Sequence, residues 1–158
     1  MNIRIRRIEA RDETRWRELW DQYTRFYERE PQEAITRQTW TRIFDECSPI
    51  HAIVAEVQGS RPGPDGEHVV GIANYVIHDS TSALMPVCYL QDLFVDPANR
   101  ASGVGGILID WLVAEMKTQR WSRLYWQARE NNYRARGLYD KYSPHSGFVR
   151  YVIDNSFT

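Results

Sequence analysis

Between Tyr89 and Gly106 a mostly apolar strand pattern runs into a loop ending in Arg100-x-x-Gly103-x-Gly105-Gly106, and an amphipathic helical pattern begins at once. That layout suits a pyrophosphate. The N–H groups that open a helix have no partner within it. They point at a ligand beyond the helix end, where the helix dipole favours negative charge. Glycine lets the backbone approach such a ligand closely, because no Cβ intervenes. Arg100, Ala101, Ser102, Gly103, Val104, Gly105 and Gly106 are therefore the candidate phosphate-binding residues.

Two commoner glycine loops are excluded by spacing. A dinucleotide fingerprint places G-x-G-x-x-G near the start of a βαβ unit, with an acidic residue about 20 positions on. Here the loop comes late and reads R-x-x-G-x-G. A P-loop needs G-x-x-x-x-G-K-S/T, whereas Ile107 and Leu108 follow Gly106 and no lysine is in place.

A second signature stands downstream. Ser122 to Ala128 reads as a strand, and Asn132-x-x-Ala135-x-x-Leu138-Tyr139 opens the helical pattern after it. Together the two stretches resemble the GNAT superfamily of N-acetyltransferases. Arg100 to Gly105 matches its Q/R-x-x-G-x-G/A acetyl-CoA motif, and Asn132 to Tyr139 matches its following helix. The likeness extends over about Ile3 to Tyr151 and is sharpest from Tyr89 to Tyr139. Leu124-Tyr125-Trp126, Leu138-Tyr139-Asp140 and Gly147-Phe148 are most similar to the small histone and polyamine acetyltransferases.

The resemblance implies an acetyl-CoA-dependent N-acetyltransferase that uses no metal. It acts on a primary amine (a small amine, an amino acid or a peptide lysine) by direct transfer in a ternary complex. Such transfer has three demands. An alkylammonium, with a reference pKa near 10, must lose a proton to expose its lone pair. The tetrahedral oxyanion needs donors. The departing thiolate needs a proton. The resemblance implies that the central strand splays from its neighbour, leaving backbone N–H groups of Leu93, Phe94 and Val95 for the acetyl and pantetheine arm. It also implies Tyr139 as proton donor to the thiolate and Asn132 as a hydrogen-bonding partner of the cofactor arm, a role compatible with a helix N-cap.

The proton acceptor is where the chain departs from these relatives. Polyamine-acetylating members carry Y-L-E-D where this chain has Tyr89-Leu90-Gln91-Asp92. Glutamine cannot take a proton. Asp92 is the first candidate, although strand alternation sends it to the face opposite Gln91. Glu130 or His78 acting through water, or capture of an already neutral amine, are the alternatives. A CoA-binding module that has lost its base, or a transferase using another acyl-CoA, are the rival functions.

Composition sets outer bounds. A chain of 158 residues is one domain on the length prior, here spanning 1–158. Hydrophobic residues at 42% and charged residues at 26% are ordinary for a globular protein. A net charge of −1 gives no global basic field, so nucleic acid is not an expected partner. Cys47 and Cys88 make no disulfide framework and no zinc pattern with the four histidines. No apolar run approaches 20 residues, so no membrane span is expected. The expected compartment is the cytoplasm, and a homodimer is the expected assembly.

The elements that must position these residues follow from periodicity. A short strand covers Asn2 to Ile8, and Asp12 is a candidate N-cap. Trp16, Leu19, Trp20, Tyr23, Phe26 and Tyr27 then recur at helical spacing. This stripe reads as core, with Tyr23, Phe26 or Tyr27 as alternative acceptor-pocket residues. Thr36 is a candidate cap for a helix carrying Trp40, Ile43 and Phe44. Ile50 to Val57 and Val69 to His78 read as a hairpin joined by the Pro- and Gly-rich stretch 59–66. Pro86 to Asp96 is the central strand. Val104 to Met116 is a helix, Leu124 to Gln127 a parallel strand, Asn131 to Tyr142 a helix, and Phe148 to Ile153 a closing strand. The order predicts an α/β fold, a mixed central sheet of about six strands flanked by helices.

Overall fold

The first alternating segment forms β1 (Ile3–Arg7), and the aromatic stripe that follows winds into α1 (Glu13–Phe26). The structure is a computed structural model and describes residues 2–59 and 68–155. Residues 1–126 and 127–158 form two compact units. The first also holds α2 (Glu33–Phe44), β2 (Ile50–Val57), β3 (Val69–His78), β4 (Val87–Val95), α3 (Val104–Gln119) and β5 (Arg123–Tyr125). The second holds α4 (Tyr133–Tyr139).

Among the described residues the sheet is mixed, with five strands in the order β1-β2-β3-β4-β5. β1 to β4 pair antiparallel and β5 runs parallel to β4. A parallel neighbour requires a crossover, and α3 supplies it. On one face Trp16, Leu19 and Tyr23 of α1 bury against Ala52, Val54, Val69, Ile72 and Phe94, with Trp40 and Ile43 of α2 packed at the margin. On the other face α3 lies so close that a Cβ on Gly71 would meet Val104 at 3.2 Å and Leu108 at 3.3 Å. Both faces of β3 and β4 are thus covered, as their near-continuous apolar runs require. The expected α/β architecture with a mixed sheet is the one observed.

Several local expectations are corrected. Asp12 does not cap α1 with its side chain. Its fully buried carboxylate accepts instead from the Glu9 N–H, closing the preceding 3₁₀ turn, and from both terminal nitrogens of Arg6 at 2.7 and 2.9 Å. Gln32, not Thr36, sits at the α2 N-cap. Residues 148–153 form no strand, and Phe148, Tyr151 and Ile153 are exposed. Periodicity marks a segment that suits a strand but supplies no ladder partner. Of the stretch 59–66, residues 60–66 lie outside the described residues.

No helix among the described residues is long and apolar enough to cross a membrane, and no group of three or more His, Cys, Asp or Glu side chains among them could hold a metal ion. Cys88 is fully buried on the central strand, and burial pushes its thiol up to about 12.

Candidate active site

The central strand is interrupted at one position. Asp92 pairs with Asn74 and Leu90 pairs with Tyr75, so Gln91 is an extra residue, a β-bulge. An inserted residue reverses strand parity. Asp92 and Phe94 therefore face α1, while Leu90 shares the opposite face with Tyr75, whose hydroxyl lies 3.5 Å from Arg7. Gln91 itself is exposed.

Beyond the bulge no strand among the described residues pairs with the far edge of β4. β5 pairs only with Val87, Cys88 and Tyr89, and ends at Tyr125. β4 continues to Val95. On its other side the Asp96 N–H donates to Val70 O at 2.9 Å, which fixes the alternation of the antiparallel ladder. Phe94 accordingly turns its N–H toward β3. Leu93 and Val95 turn theirs toward the side where β5 has ended. Of the three backbone groups expected at this edge, Phe94 is the one that points away, and its ring packs edge-on to Tyr23.

The glycine loop lies directly after this edge. Pro97 to Ser102 form a 3₁₀ turn, which includes Ala101, with the Asp96 carboxylate capping it through the Ala98 N–H. Gly103 takes φ 72° and is the N-cap of α3. The first closed helical bond is from Ile107 N–H to Gly103 O, so the N–H groups of Val104 and Gly105 precede it. A Cβ on Gly103 would meet nothing within 4 Å. The loop thus presents an accessible helix N-terminus of the kind that holds anions. Arg100 does not extend freely into that space. Its Nε donates to Val95 O at 3.2 Å, and its guanidinium lies over the rings of Phe94 and Phe26, at 5.2 and 5.7 Å.

Asp92 belongs to a buried polar chain on the α1 face. The Trp16 indole N–H donates to Asn74 Oδ1 at 3.2 Å, and Asn74 Nδ2 donates to Asp92 Oδ2 at 3.1 Å. The Tyr23 hydroxyl donates to Gln91 O at 3.5 Å and stands beside the Asp92 carboxylate. Burial pushes the Asp92 carboxyl above the ordinary carboxylate value, against the opposing pull of Asn74, Tyr23 and the Arg29 charge. Burial, with the neighbouring Asp92 charge, also raises the Tyr23 phenol.

In the second unit Asn132 caps α4, its Oδ1 accepting from the Ala135 N–H at 3.2 Å. Tyr139 is the last residue of that helix and is half-buried.

The family model for the acetyltransferase (GNAT) family matches residues 13–143, a span that runs across both units. The chain belongs to this family. Membership makes it an N-acyltransferase. Over 139 residues it is 27% identical to the D-amino-acid N-acetyltransferase HPA3 of Saccharomyces cerevisiae, covering 88% of this chain and 83% of that protein. Its fold is similar to that of a ribosomal-protein-alanine N-acetyltransferase from Brucella melitensis, with a TM-score of 0.75, 19% identity, and 98% of this chain and 100% of the other covered. It is also similar to AAC(6')-Iy bound to a CoA-acetylneamine bisubstrate analogue, with a TM-score of 0.76, 18% identity, and 98% and 99% coverage.

Sequence reasoning missed the bulge at Gln91 and the Trp16–Asn74–Tyr23 partners of Asp92. A signal for the second was present. Asn74 is a polar residue in an otherwise apolar strand, and such a residue is retained when its hydrogen bonds are met.

Proposed function

We propose that this N-acyltransferase moves the acetyl group of acetyl-CoA to a primary amine by direct attack in a ternary complex. The observation that carries the reading is the unpaired edge of β4 at Leu93 and Val95, immediately followed by the open N-terminus of α3. The two features suit the two ends of one ligand. Backbone N–H groups suit an acyl carbonyl and amide-bearing arm, and the helix N-terminus suits a pyrophosphate.

Acetyl-CoA supplies the thioester. The residues of the chain do the rest in this reading. The N–H groups of Leu93 and Val95 hold the arm and stabilise the oxyanion. Ser102 to Gly106 hold the phosphates, with Arg100 fixing the loop against Phe94 and Val95. Asp92 accepts a proton from the attacking nitrogen, a role that a carboxyl raised by burial suits better than an ordinary one. Tyr139 returns a proton to sulfur, and Asn132 bonds the arm. The acceptor class is a small amine, an amino acid or a peptide lysine. The name of the yeast relative supports the amino acid, and the glutamine at 91 disfavours a polycation. The likeness to AAC(6')-Iy, whose analogue joins CoA to an amine, supports a ternary complex. Exposed Phe148, Tyr151 and Ile153 support a homodimer that would cover them.

One observation favours a second reading. Gln91 in place of a carboxylate suits a CoA-binding module without turnover. Thiol release from acetyl-CoA, measured with a panel of amino acids, alkylamines and lysine peptides, separates the two. Release with no acceptor above background, alongside tight CoA binding, would overturn the catalytic reading. Release from succinyl-CoA in preference to acetyl-CoA would overturn the choice of acyl group.

A further inference from the structure

An ammonium nitrogen gives up two protons on its way to an amide. One ends on the thiolate sulfur and the other leaves for solvent. Asp92 and Tyr139 account for a single transfer from nitrogen to sulfur. The proton that must leave before attack, when the acceptor arrives as R–NH₃⁺, has no assigned taker.

We infer that His78 and Tyr125 take it, as a hydrogen-bonded pair where β4 and β5 separate. The inference rests on the acetyl-transfer reading above. Tyr125 is the last residue of β5 and pairs with Tyr89, after which the strands part. Its ring stacks on Tyr89 with centroids 4.9 Å apart. Asn74, Val76 and His78 lie on one uninterrupted strand at two-residue spacing and so share a face. Tyr89 pairs with Val76 and Asp92 with Asn74. Tyr125 and His78 thus stand on the same face as Asp92, on the other side of the bulge.

The hydrogen bonds fix the protonation pattern. His78 Nδ1 lies 2.7 Å from the Asp79 carbonyl oxygen, which can only accept, so Nδ1 carries a hydrogen. In the neutral ring Nε2 then holds a lone pair, and the Tyr125 hydroxyl donates to it at 2.7 Å. The amine gives its proton to the Tyr125 oxygen as the phenol proton passes to Nε2. An imidazolium and a neutral phenol result, and the exposed ring releases the proton to water. Among the described residues, Arg123 lies over Tyr125 at 5.8 Å and donates to Ser80 Oγ at 3.3 Å, Val87 pairs with His78 and Arg123, and Asp79 follows His78 just beyond the strand end.

The test is acetyl-CoA turnover in wild type, His78→Ala and Tyr125→Phe at pH 7, with an alkylamine and with trifluoroethylamine, which arrives unprotonated. Both variants are expected to lose about 100-fold in kcat/KM with the alkylamine and to match wild type with trifluoroethylamine, which also shows that they fold. Added imidazole is expected to rescue His78→Ala, and raising the pH to 10 to erase the deficit. A deficit under threefold with the alkylamine overturns the inference alone. An equal deficit with both amines also overturns it, since the pair would then be structural. A wild type inactive with every amine overturns the acetyl-transfer reading, and the inference with it.

Discussion

Asn74 and Asp92 face each other directly across β3 and β4, and the amide of Asn74 donates to the carboxylate at 3.1 Å. The pairing ties the residue after the bulge to the core helix, because the other end of the Asn74 amide accepts from Trp16. A one-residue bulge is free to slip unless something pins it. Here the pin is polar, buried and complete.

That burial has a measurable pH signature. The folded-state pKa of Asp92 is raised above its unfolded value. The folded protein therefore holds the proton more tightly than the unfolded chain. The contribution is fully present below the unfolded pKa, near 3.9, and is lost as pH rises through the higher folded value. In Asp92→Asn this dependence is absent. The melting temperature of the variant should gain on that of wild type as pH increases from 4 toward neutrality. A difference independent of pH would mean that Asp92 ionises in the fold as easily as in water.

The Arg6–Asp12 pair should behave as a structural charge pair. Arg6 also donates to Glu56 at 3.1 Å, and Asp12 is fully buried. Removing Asp12 takes away the carboxylate that bonds both terminal nitrogens of buried Arg6 and leaves Glu56 as its partner, a loss at the lower end of the range of about 3–5 kcal/mol for a broken buried pair. Asp12→Ala is expected to lose that much in urea denaturation at pH 7. A loss under about 1 kcal/mol would place the cluster with exposed ion pairs, whose worth is small.

Gly103 separates backbone strain from steric block. Its φ of 72° is left-handed, yet a Cβ there would touch nothing. Gly103→Ala should cost only the left-handed penalty, about 1–2 kcal/mol, and Gly103→Asn less, since asparagine visits this region more readily. Gly103→Val adds a β-branched side chain before the helix N-terminus and should weaken CoA binding by calorimetry in a folded protein. Unchanged affinity in Gly103→Val would remove the phosphate assignment from this loop.

The strand and helix boundaries were largely legible because each segment declares its own period. Ile50–Val57 and Val69–His78 form strands with the limits that periodicity predicts. What was hidden is pairwise. The bulge at Gln91 depends on how β4 aligns with β3, and no pattern within Tyr89 to Asp92 reveals it. The same holds for residues 148–153, an apolar and β-branched run that suits a strand but forms none. In the candidate site, spacing singles out the glycine loop, and the structure adds that Gly103 opens α3 there. The assignment of Leu93 and Val95 rather than Phe94 to the open edge required the ladder. Arg100 is a candidate phosphate ligand through its place in the loop motif, and the fold surrounds it with Phe26, Phe94 and Val95 O.

Tyr139→Phe tests the proton donor. A group that acts only as sulfur departs contributes to the transition state, so kcat should fall with little change in KM for acetyl-CoA. General acids of this kind supply ~100- to 10,000-fold. A fall under threefold would make Tyr139 a packing residue of α4.

Asp92 and Gln91 adjoin in sequence, and their substitutions should diverge. Gln91 is the exposed bulge residue with no titratable group, so Gln91→Ala should change turnover little. Asp92→Asn keeps the shape and removes the proton acceptor, and it should lower kcat by about 100-fold or more. The pH behaviour distinguishes its step. If Asp92 receives the proton released after attack, the deficit persists at pH 10 and with an amine that arrives neutral, because that proton appears only once the nitrogen has bonded to carbon. If it instead deprotonates the free ammonium, the deficit vanishes under both conditions. The burial of Asp92 among Trp16, Asn74 and Tyr23, against the exposure of His78, favours the first outcome. Gln91→Glu adds a carboxylate at the exposed position where the Y-L-E-D pattern of polyamine-acetylating proteins has one. It should leave amino acid acceptors unchanged or slightly weaker and improve kcat/KM for diamines, since a negative charge there favours a second cation. Wild-type activity in Asp92→Asn across the pH range would leave Asp92 as the pin of the bulge and nothing more.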